Sequence, residues 1–226
     1  MVSESLVKNR GRPKRIHRDA VIRHALKAYW EHGVENVPLT RVAKVASVNR
    51  VSVYHEFGGE ENLLLESLKF YRQIFQSRVK VIDEKADLSV VIHVLFKSII
   101  FDGSLDWGNP KLAIFKNDSD EFSRSPKHLG CFYLQTKLVR DRLSDSQQQY
   151  FDQFDNELVR RLALCITAAQ RKRKAFAHLD PKKISQFLVL QLVVFQMLRK
   201  SRASKQKMLD VYSLIESMVI PERCRL

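Results

Sequence analysis

Residues 39–64, LTRVAKVASVNRVSVYHEFGGEENLL, constrain the fold most, because they hold two short apolar-periodic segments joined by a three-residue break. Each segment repeats apolar residues at helical spacing, and helices this short need other elements to pack against. Asn49 stands where a side chain can cap the second helix, and Gly58-Gly59 ends it. Two short helices that meet at a tight turn predict a helix-turn-helix, whose second helix lies in the DNA major groove.

The start and outer face of the second helix carry the candidate base contacts. Arg50 can bind guanine through two hydrogen bonds, Val51 can touch a thymine methyl group, and Ser52 can reach base or phosphate. We expect Tyr54 and His55 to contact phosphate, with packing of the Tyr54 ring in the core as an equal alternative. The first helix contributes two expected phosphate contacts at its start. The predicted DNA contacts here are Thr40, Arg41, Arg50, Val51, Ser52, Tyr54 and His55.

Residues 1–18 are polar and basic, carry a net charge of +5 and lack apolar periodicity, which predicts a flexible arm. Its Arg-Gly-Arg-Pro sequence resembles an AT-hook core, in which Gly11 allows close approach and Pro13 fixes the backbone. Such a segment can place guanidinium groups in a narrow A/T-rich minor groove. A solvated basic tail is the alternative. The candidate DNA contacts of the arm are Arg10, Arg12 and Lys14.

The net charge of +14 indicates a polyanionic partner, either nucleic acid or an anionic membrane, but it is unevenly distributed. Residues 19–60 are neutral overall, whereas residues 61–226 carry +9, which favours an anionic effector. The three cysteines form no Cys-x-x-Cys pair, so we expect a reducing cytoplasm. No signal peptide opens the chain, and its most apolar run, 187–198, is shorter than the ~20 residues that a bilayer needs. These features predict a cytoplasmic, nucleoid-associated protein with no membrane partner.

The remaining patterns predict an all-α chain: a flexible basic arm over 1–18, a helix-turn-helix domain over 19–61 and a helical domain over 62–226. Asp19 is the predicted cap of a first helix that runs to His32 and ends at Gly33. Residues 102–129 are polar and turn-rich, with at most a short helix over 111–116. The helices predicted after the helix-turn-helix span 60–81, 88–101, 130–142, 144–174, 181–198 and 204–219.

The spacing of the N-terminal apolar and turn residues resembles the signature of the TetR-like (AcrR-like) transcriptional regulators. The matching residues are Ala25, Trp30, Gly33, Val42, Ala43, Val48, Ser52, Val53, Tyr54, Phe57, Glu61 and Leu63. This resemblance implies a three-helix DNA-binding head and a helical body that binds an effector and dimerises. It also implies repression that a small molecule relieves. In the family, the last two long helices form a four-helix dimer interface with their copies.

Three residues depart from the family pattern. Ser47 stands where the turn glycine is usual, Glu56 where a phosphate-contacting histidine is common, and Glu60 where a lysine meets the DNA backbone. Carboxylates that face phosphates weaken binding, because affinity follows phosphate neutralisation. We therefore expect the arm to supply much of the electrostatic attraction.

The sequence contains no motif of a metalloprotease, serine hydrolase or nucleotide-binding loop. We expect no enzyme, no cofactor and no metal. Cys131 is a candidate oxidation sensor, although a buried small hydrophobe is the favoured interpretation. Some aromatic residues are candidates to line an effector pocket, and others to fill the core; they are Trp107, Phe115, Phe122, Phe132 and Phe151.

These observations predict a homodimeric repressor that binds double-stranded DNA at a near-palindromic operator and is released by an unidentified small-molecule effector. Its two recognition helices would enter successive major grooves, one turn (~34–36 Å) apart or somewhat more. The effector would change that spacing by shifting a population of conformers. One alternative is an architectural or nucleoid-associated DNA-binding protein without an effector. The other is an enzyme that uses a pocket of the body.

Overall fold

The computed structural model describes residues 17–101 and 131–226, except for the side chains of 74–79. Helices and turns make up this part of the chain, which contains no strand. The predicted all-α class is confirmed. The described residues contain nine α-helices, numbered α1 to α9 in chain order. They are Arg18–His32, Leu39–Val45, Arg50–Phe57, Glu60–Lys80, Leu88–Ile100, Phe132–Lys137, Asp145–Arg171, Pro181–Lys200 and Lys205–Val219.

Helices α1, α2 and α3 form a compact unit, here called the head, which packs on the first turns of α4. Gly33 ends α1 with φ at 83°, and its N–H donates to the Tyr29 carbonyl at 2.9 Å. The prediction that Asp19 caps α1 is wrong. The helix begins at Arg18, so Asp19 lies exposed in the first turn, where its charge favours the helix dipole without capping it.

Helices α5 to α9 form the body. The longest, α7, packs along α8, and α5 packs against both α8 and α9. The predicted capping box is present at the start of α7, where Ser144 and Gln147 each satisfy a backbone N–H of the other. Asp180 caps α8 by accepting from the Lys183 N–H at 2.9 Å, and a proline follows at the first helical position, as predicted.

Helix α6 is much shorter than predicted. We expected a helix over 130–142, but α6 ends at Lys137 and a 3-10 turn follows over Arg140–Arg142. The helix tightens at its end, because Val139 N–H bonds three residues back to Thr136 at 3.1 Å, and Val139 then leaves helical conformation with ψ at 32°. The bend allows Leu143 to be buried and Arg142 to pair with Glu35 of the head.

Helix α4 joins the head to the body. It packs along α1 at one side and contacts α6 and α7 further on. At the junction, the ring of Trp30 in α1 lies 5.2 Å from that of Tyr71 in α4 and 6.1 Å from that of Phe132 in α6. These three side chains are buried, so the junction is an aromatic contact shared by head, α4 and body.

Candidate nucleic-acid interface

The turn between α2 and α3 is a Schellman motif. Val48 N–H donates to the Ala43 carbonyl at 3.0 Å, and Ser47 N–H donates to the Lys44 carbonyl at 3.2 Å. The motif requires a left-handed residue, and Ser47 adopts it with φ at 54°. A serine there carries strain that glycine would avoid, since a left-handed conformation costs about 1 kcal/mol in a residue with a Cβ.

Helix α3 is fixed at both ends and along its inner face. Asn49 Oδ1 accepts from the Val51 N–H at 2.8 Å, which confirms the predicted cap. Gly58 ends the helix in left-handed conformation, with its N–H donating to the Tyr54 carbonyl at 2.7 Å. Val53 and Phe57 are buried against the rest of the head. The orientation of the outer face is therefore set by the head and not by a ligand.

The outer face of α3 presents the predicted contact residues to solvent. Arg50 and His55 are exposed, as are Val51 (60%) and Tyr54 (56%), while Ser52 is half-buried. The alternative that the Tyr54 ring packs in the core is wrong, because more than half of the residue is accessible. A valine and a tyrosine this exposed on an eight-residue helix make a surface suited to contact another molecule.

The two arginines of this surface, Arg41 and Arg50, differ in their hydrogen bonds. Within the described residues, Arg50 forms no hydrogen bond or ion pair, so its guanidinium is available to a ligand. Arg41 is exposed, but its Nη2 donates to His32 Nε2 at 2.8 Å, which ties the start of α2 to the end of α1. Thr40 is exposed beside it.

We expected the Glu56 carboxylate to face DNA phosphate. In the structure it is instead paired with Arg18. The Arg18 guanidinium donates to Glu56 Oε1 at 3.1 Å, to the Glu56 carbonyl at 3.3 Å and to Glu66 Oε2 at 3.1 Å. It also lies 4.7 Å from the centre of the Phe57 ring. Arg18, the last residue of the predicted arm, thus belongs to the head. It joins the start of α1 to the end of α3 and to α4.

These ion pairs also shift the pKa values of Arg18 and Glu66. The hydrogen bond from Lys69, together with that from Arg18, lowers the pKa of Glu66 despite its partial burial. The Arg18 pKa is raised mainly by its hydrogen bond to Glu56. The Glu66 carboxylate therefore stays charged and paired at neutral pH.

Glu60 has a structural role that we had not predicted. Its Oε1 accepts from the Leu39 N–H, the first of α2, at 2.7 Å. Pro38 occupies the N-cap position of α2 and has no side-chain acceptor, so Glu60 from another helix supplies the cap. The expectation that Glu60 faces DNA phosphate is corrected accordingly. Burial, with a further effect of the Glu60 charge, raises the pKa of the neighbouring Tyr29.

Polar contacts join the head and the start of α4 to the start of α7. Gln147, which is buried, donates through Nε2 to the Glu61 carbonyl at 2.9 Å and accepts at Oε1 from the Ser144 N–H. Ser146 Oγ lies 3.3 Å from Glu61 Oε1. The capping-box pattern identified Gln147 as part of a helix start, but its contact with α4 carries no local sequence signal.

The body contains a cavity of about 120 Å³ between α4, α5, α6, α7 and α8. Its wall includes Tyr71, Tyr133 and Phe154. The predicted pocket residues Phe132 and Phe151 are fully buried and lie outside this wall, because each packs into the core. The other three aromatic candidates, Trp107, Phe115 and Phe122, lie outside the described residues, as do Arg10, Arg12 and Lys14 of the arm.

The cysteines occupy different environments. Cys131 is half-buried at the cavity wall, where Tyr71 Oη donates to its Sγ at 3.4 Å. Cys165 is fully buried in α7, and burial raises the pKa of its thiol to about 12. The favoured expectation that Cys131 is a buried small hydrophobe is therefore only partly met.

Among the described residues, no group of three or more His, Cys, Asp or Glu side chains is arranged to hold a metal ion. Nor does any helix in residues 17–101 or 131–226 combine the length and apolar character needed to cross a membrane.

Residues 21–67 match the model of the bacterial regulatory proteins of the tetR family. They comprise most of the head and the start of α4. In a separate comparison, 76 residues of the chain are 32% identical to the HTH-type transcriptional repressor ComR of Escherichia coli, covering 34% of this chain and 36% of ComR. An alignment of 88 residues with the HTH-type transcriptional regulator BetI of Agrobacterium fabrum gives 28% identity and covers 37% of this chain and 43% of BetI.

Over residues 21–67, the chain is thus similar to the TetR family. The chain's similarity to these two relatives spans less than half the length of each.

Solved structures extend the likeness to the fold of most of the chain. The reduced form of NemR from E. coli superposes with a TM-score of 0.69 at 15% identity, covering 91% of this chain and 98% of NemR. A cysteine mutant of the TetR-family regulator CifR, in complex with a 26-base-pair operator DNA, superposes with a TM-score of 0.65 at 21% identity, covering 93% and 100%. At these identities the likeness establishes the fold alone.

Proposed function

We propose that the protein is a sequence-specific DNA-binding transcriptional regulator whose helix α3 enters the major groove. The exposed face of α3 is the observation that carries this proposal. Arg50, Val51, Tyr54 and His55 face solvent on a helix whose ends and inner face are fixed by the head. Arg50 would select guanine and Val51 a thymine methyl group, whereas Tyr54, His55 and the exposed start of α2 would contact phosphate.

The surface of α8 and α9 supports a homodimer as the active form. Five large apolar side chains face solvent on these helices: Leu190 (61%), Val194 (39%), Met197 (55%), Leu214 (65%) and Met218 (52%). They recur at spacings of three and four, so each helix carries one apolar stripe. A second copy of the chain would bury both stripes in a four-helix contact.

A two-fold dimer implies a near-palindromic operator, with recognition helices in successive major grooves ~34–36 Å apart or somewhat more. We infer that the regulator is a repressor and that a small molecule held by the body releases it. The name of ComR as a repressor and the complex of CifR with operator DNA support this inference. The basic arm, with Arg10, Arg12 and Lys14, would add minor-groove and phosphate contacts beside the operator.

Arg50→Ala tests base recognition, with Lys27→Ala as a matched control. Lys27 is an exposed basic residue of α1, so its removal lowers the net charge equally without touching α3. We expect Arg50→Ala to weaken operator binding by about 1–3 kcal/mol and to relax base preference at one position of each half-site. Lys27→Ala should leave base preference unchanged. Affinities are measured by fluorescence anisotropy on an operator selected from genomic fragments.

Removal of residues 1–16 tests the arm in the same assay. We expect weaker binding to all sequences, most at A/T-flanked sites, and a smaller salt dependence, because fewer counterions are released. An unchanged affinity and salt slope would contradict the role of the arm. Equal affinity of the full chain for operator and random DNA would contradict sequence-specific regulation and favour an architectural DNA-binding protein.

A further inference from the structure

We propose that the cavity of the body binds a neutral, mainly apolar molecule about the size of one aromatic ring. The proposal deepens the proposed function and rests on it in one respect, namely that this ligand is the effector of the regulator. It replaces the expectation of an anionic effector, which came from the basic composition of the body.

The size of the cavity limits the ligand to a few heavy atoms. Its volume is about 120 Å³. An apolar protein cavity of about 150 Å³ stays dry and binds benzene, so this cavity is near the size of a single ring. A larger effector would have to extend out of this space, which is partly open to solvent.

The wall is mainly apolar and comes from five helices. Three aromatic rings, those of Tyr71, Tyr133 and Phe154, form part of it. The aliphatic members are Leu95, Ile99, Leu134, Leu158, Val189 and Leu192. Moving an apolar ligand from water into this space is favourable at about 25 cal/mol per Å² of buried surface.

The charged groups at the cavity are already paired within the protein. Arg72 Nη2 lies 2.6 Å from Glu157 Oε2, and its guanidinium lies 5.0 Å from the centre of the Phe154 ring. Asp155 is paired with Lys137 and accepts a hydrogen bond from Tyr133 Oη at 3.3 Å. An anionic or cationic ligand would lose its hydration without gaining an unpaired counter-charge, which disfavours both.

The hydroxyl groups at the wall also have partners. Tyr133 Oη donates to the Phe151 carbonyl at 3.0 Å, and Ser98 Oγ donates to the Leu95 carbonyl at 3.2 Å. Tyr71 Oη donates to Cys131 Sγ and accepts from the Phe132 N–H at 3.3 Å. A ligand therefore needs no hydrogen-bonding groups of its own to fit this wall.

One wall residue connects the cavity to the head. Tyr71 lines the cavity, and its ring packs edge-on against Trp30 of α1, with 5.2 Å between ring centres. A ligand that favours one position of the Tyr71 ring would thereby favour one position of α1 relative to α4. This contact is the route by which an occupant of the body would alter the spacing of two α3 helices in a dimer.

The first experiment compares neutral and charged ligands of the same framework on the full chain. Benzene and toluene are the neutral probes, and benzoate and benzylammonium are their charged counterparts. We expect saturating benzene, at 100-fold over its dissociation constant, to raise Tm by about 5 °C or more, because it binds only the folded state. Benzoate and benzylammonium should leave Tm unchanged at equal concentration. A shift with benzoate and none with benzene or toluene would overturn the proposal.

The second experiment fills the cavity with a side chain. Val189→Phe adds a ring at the wall, whereas Leu164→Phe adds bulk on the exposed side of α7 as a control. We expect Val189→Phe to abolish the benzene-induced shift and Leu164→Phe to retain it. Retention of the shift in a folded Val189→Phe variant would show that benzene binds elsewhere, against the proposal.

Alkylation of Cys131 provides a readout in the unaltered protein, should Val189→Phe fail to fold. Cys131 lines the cavity, whereas the half-buried Cys224 near the C-terminus does not. We expect benzene to slow iodoacetamide labelling of Cys131 several-fold and to leave Cys224 unaffected, as followed by peptide mass spectrometry. Equal labelling rates with and without saturating benzene would contradict occupation of the cavity.

Operator binding of the ligand-free protein is measured separately. Its absence would contradict the proposed regulator and leave the ligand measurements standing. Operator binding combined with no response to benzene or toluene in any of these assays would overturn only the ligand proposal.

Discussion

The head exposes Val51 and Tyr54 on one short helix, whereas the body exposes five large apolar side chains on two long ones. Around Val51 and Tyr54 lie Arg50, which has no partner among the described residues, the exposed His55 and the half-buried Ser52. Such a mixed surface suits a polar, grooved partner. The stripes on α8 and α9 consist of large aliphatic and methionine side chains, which are the residue types of a protein core. The same property, exposed apolar surface, thus indicates DNA in one region and a second copy of the chain in the other.

The two regions also differ in what they share with other proteins. Residues 21–67 match the family model, and the alignments with the two curated relatives cover 34% and 37% of the chain. The body is similar to solved structures in fold, at identities of 15% and 21% in the two cases described above. Similarity in sequence is therefore shown for the N-terminal residues 21–67, and similarity of the body for its fold alone.

Disrupting the stripes of the body should produce the largest effect. Leu190→Glu combined with Leu214→Glu places charge in the proposed interface, and burial of each leucine contributes about 1.5–3 kcal/mol. We expect the dimer dissociation constant to rise more than ~1,000-fold, equivalent to about 4 kcal/mol, with a parallel loss of operator affinity. Analytical ultracentrifugation measures the first quantity. Leu226→Glu, at an exposed leucine outside both helices, is the control. A double variant that remains dimeric would show that the stripes serve another partner.

Removing the cap that α4 provides to α2 should have an intermediate effect, confined to the head. Glu60→Ala leaves the Leu39 N–H without its acceptor, and loss of a cap costs about 1 kcal/mol in the free energy of unfolding. Glu60→Gln retains an oxygen acceptor and should cost less in urea denaturation. If Glu60 opposed DNA phosphate, Glu60→Gln would instead strengthen operator binding at low salt. We expect no such gain.

Replacing a left-handed residue by glycine should give the smallest change in the free energy of unfolding. The change should be of similar size in the head and in the body. Ser47 in the head and Arg202 in the body both occupy the left-handed position of a Schellman motif, with φ at 54° and 58°. Glycine at either position should stabilise the fold by about 0.5–1 kcal/mol, because the strain it removes exceeds the entropy that it adds to the unfolded chain. Thermal unfolding measures both. Destabilisation by Ser47→Gly alone would indicate a side-chain role for Ser47 in the turn.

Local patterns predicted the helices and most of their ends. Asn49, Asp180 and the Ser144–Gln147 box act within a few residues of the helices that they cap, so their roles follow from the sequence. The same reasoning failed for α6, where a tertiary contact of the following turn decides where the helix ends. It predicted the exposed face of α3 only in part, because the Tyr54 ring, for which burial was an equal alternative, is exposed, and Val53 and Phe57 form the buried face.

Contacts between distant residues could not be predicted from one sequence. Arg18 and Glu56 are 38 positions apart, and Leu39 and Glu60 are 21 apart. Nothing in the spacing of these residues shows that the two carboxylates are engaged within the head. The cavity is equally non-local, since five helices contribute its wall, and two of the aromatic residues first considered for it fill the core instead.

The cap that Glu60 gives to α2 has a mechanical consequence. Glu60 and Tyr71 lie on the same helix, ~16 Å apart along its axis at 1.5 Å per residue. If α4 tilted by about 5° around Tyr71, the carboxylate of Glu60 would travel ~1.4 Å over that length, and α2 would have to follow or lose its acceptor. A tilt of α4 at Tyr71, beside the cavity, would therefore be passed to the first residue of α2 through the hydrogen bond between the Leu39 N–H and Glu60 Oε1. A small displacement of side chains in the body would thus move the start of α2 by ~1.4 Å, about half the length of a hydrogen bond.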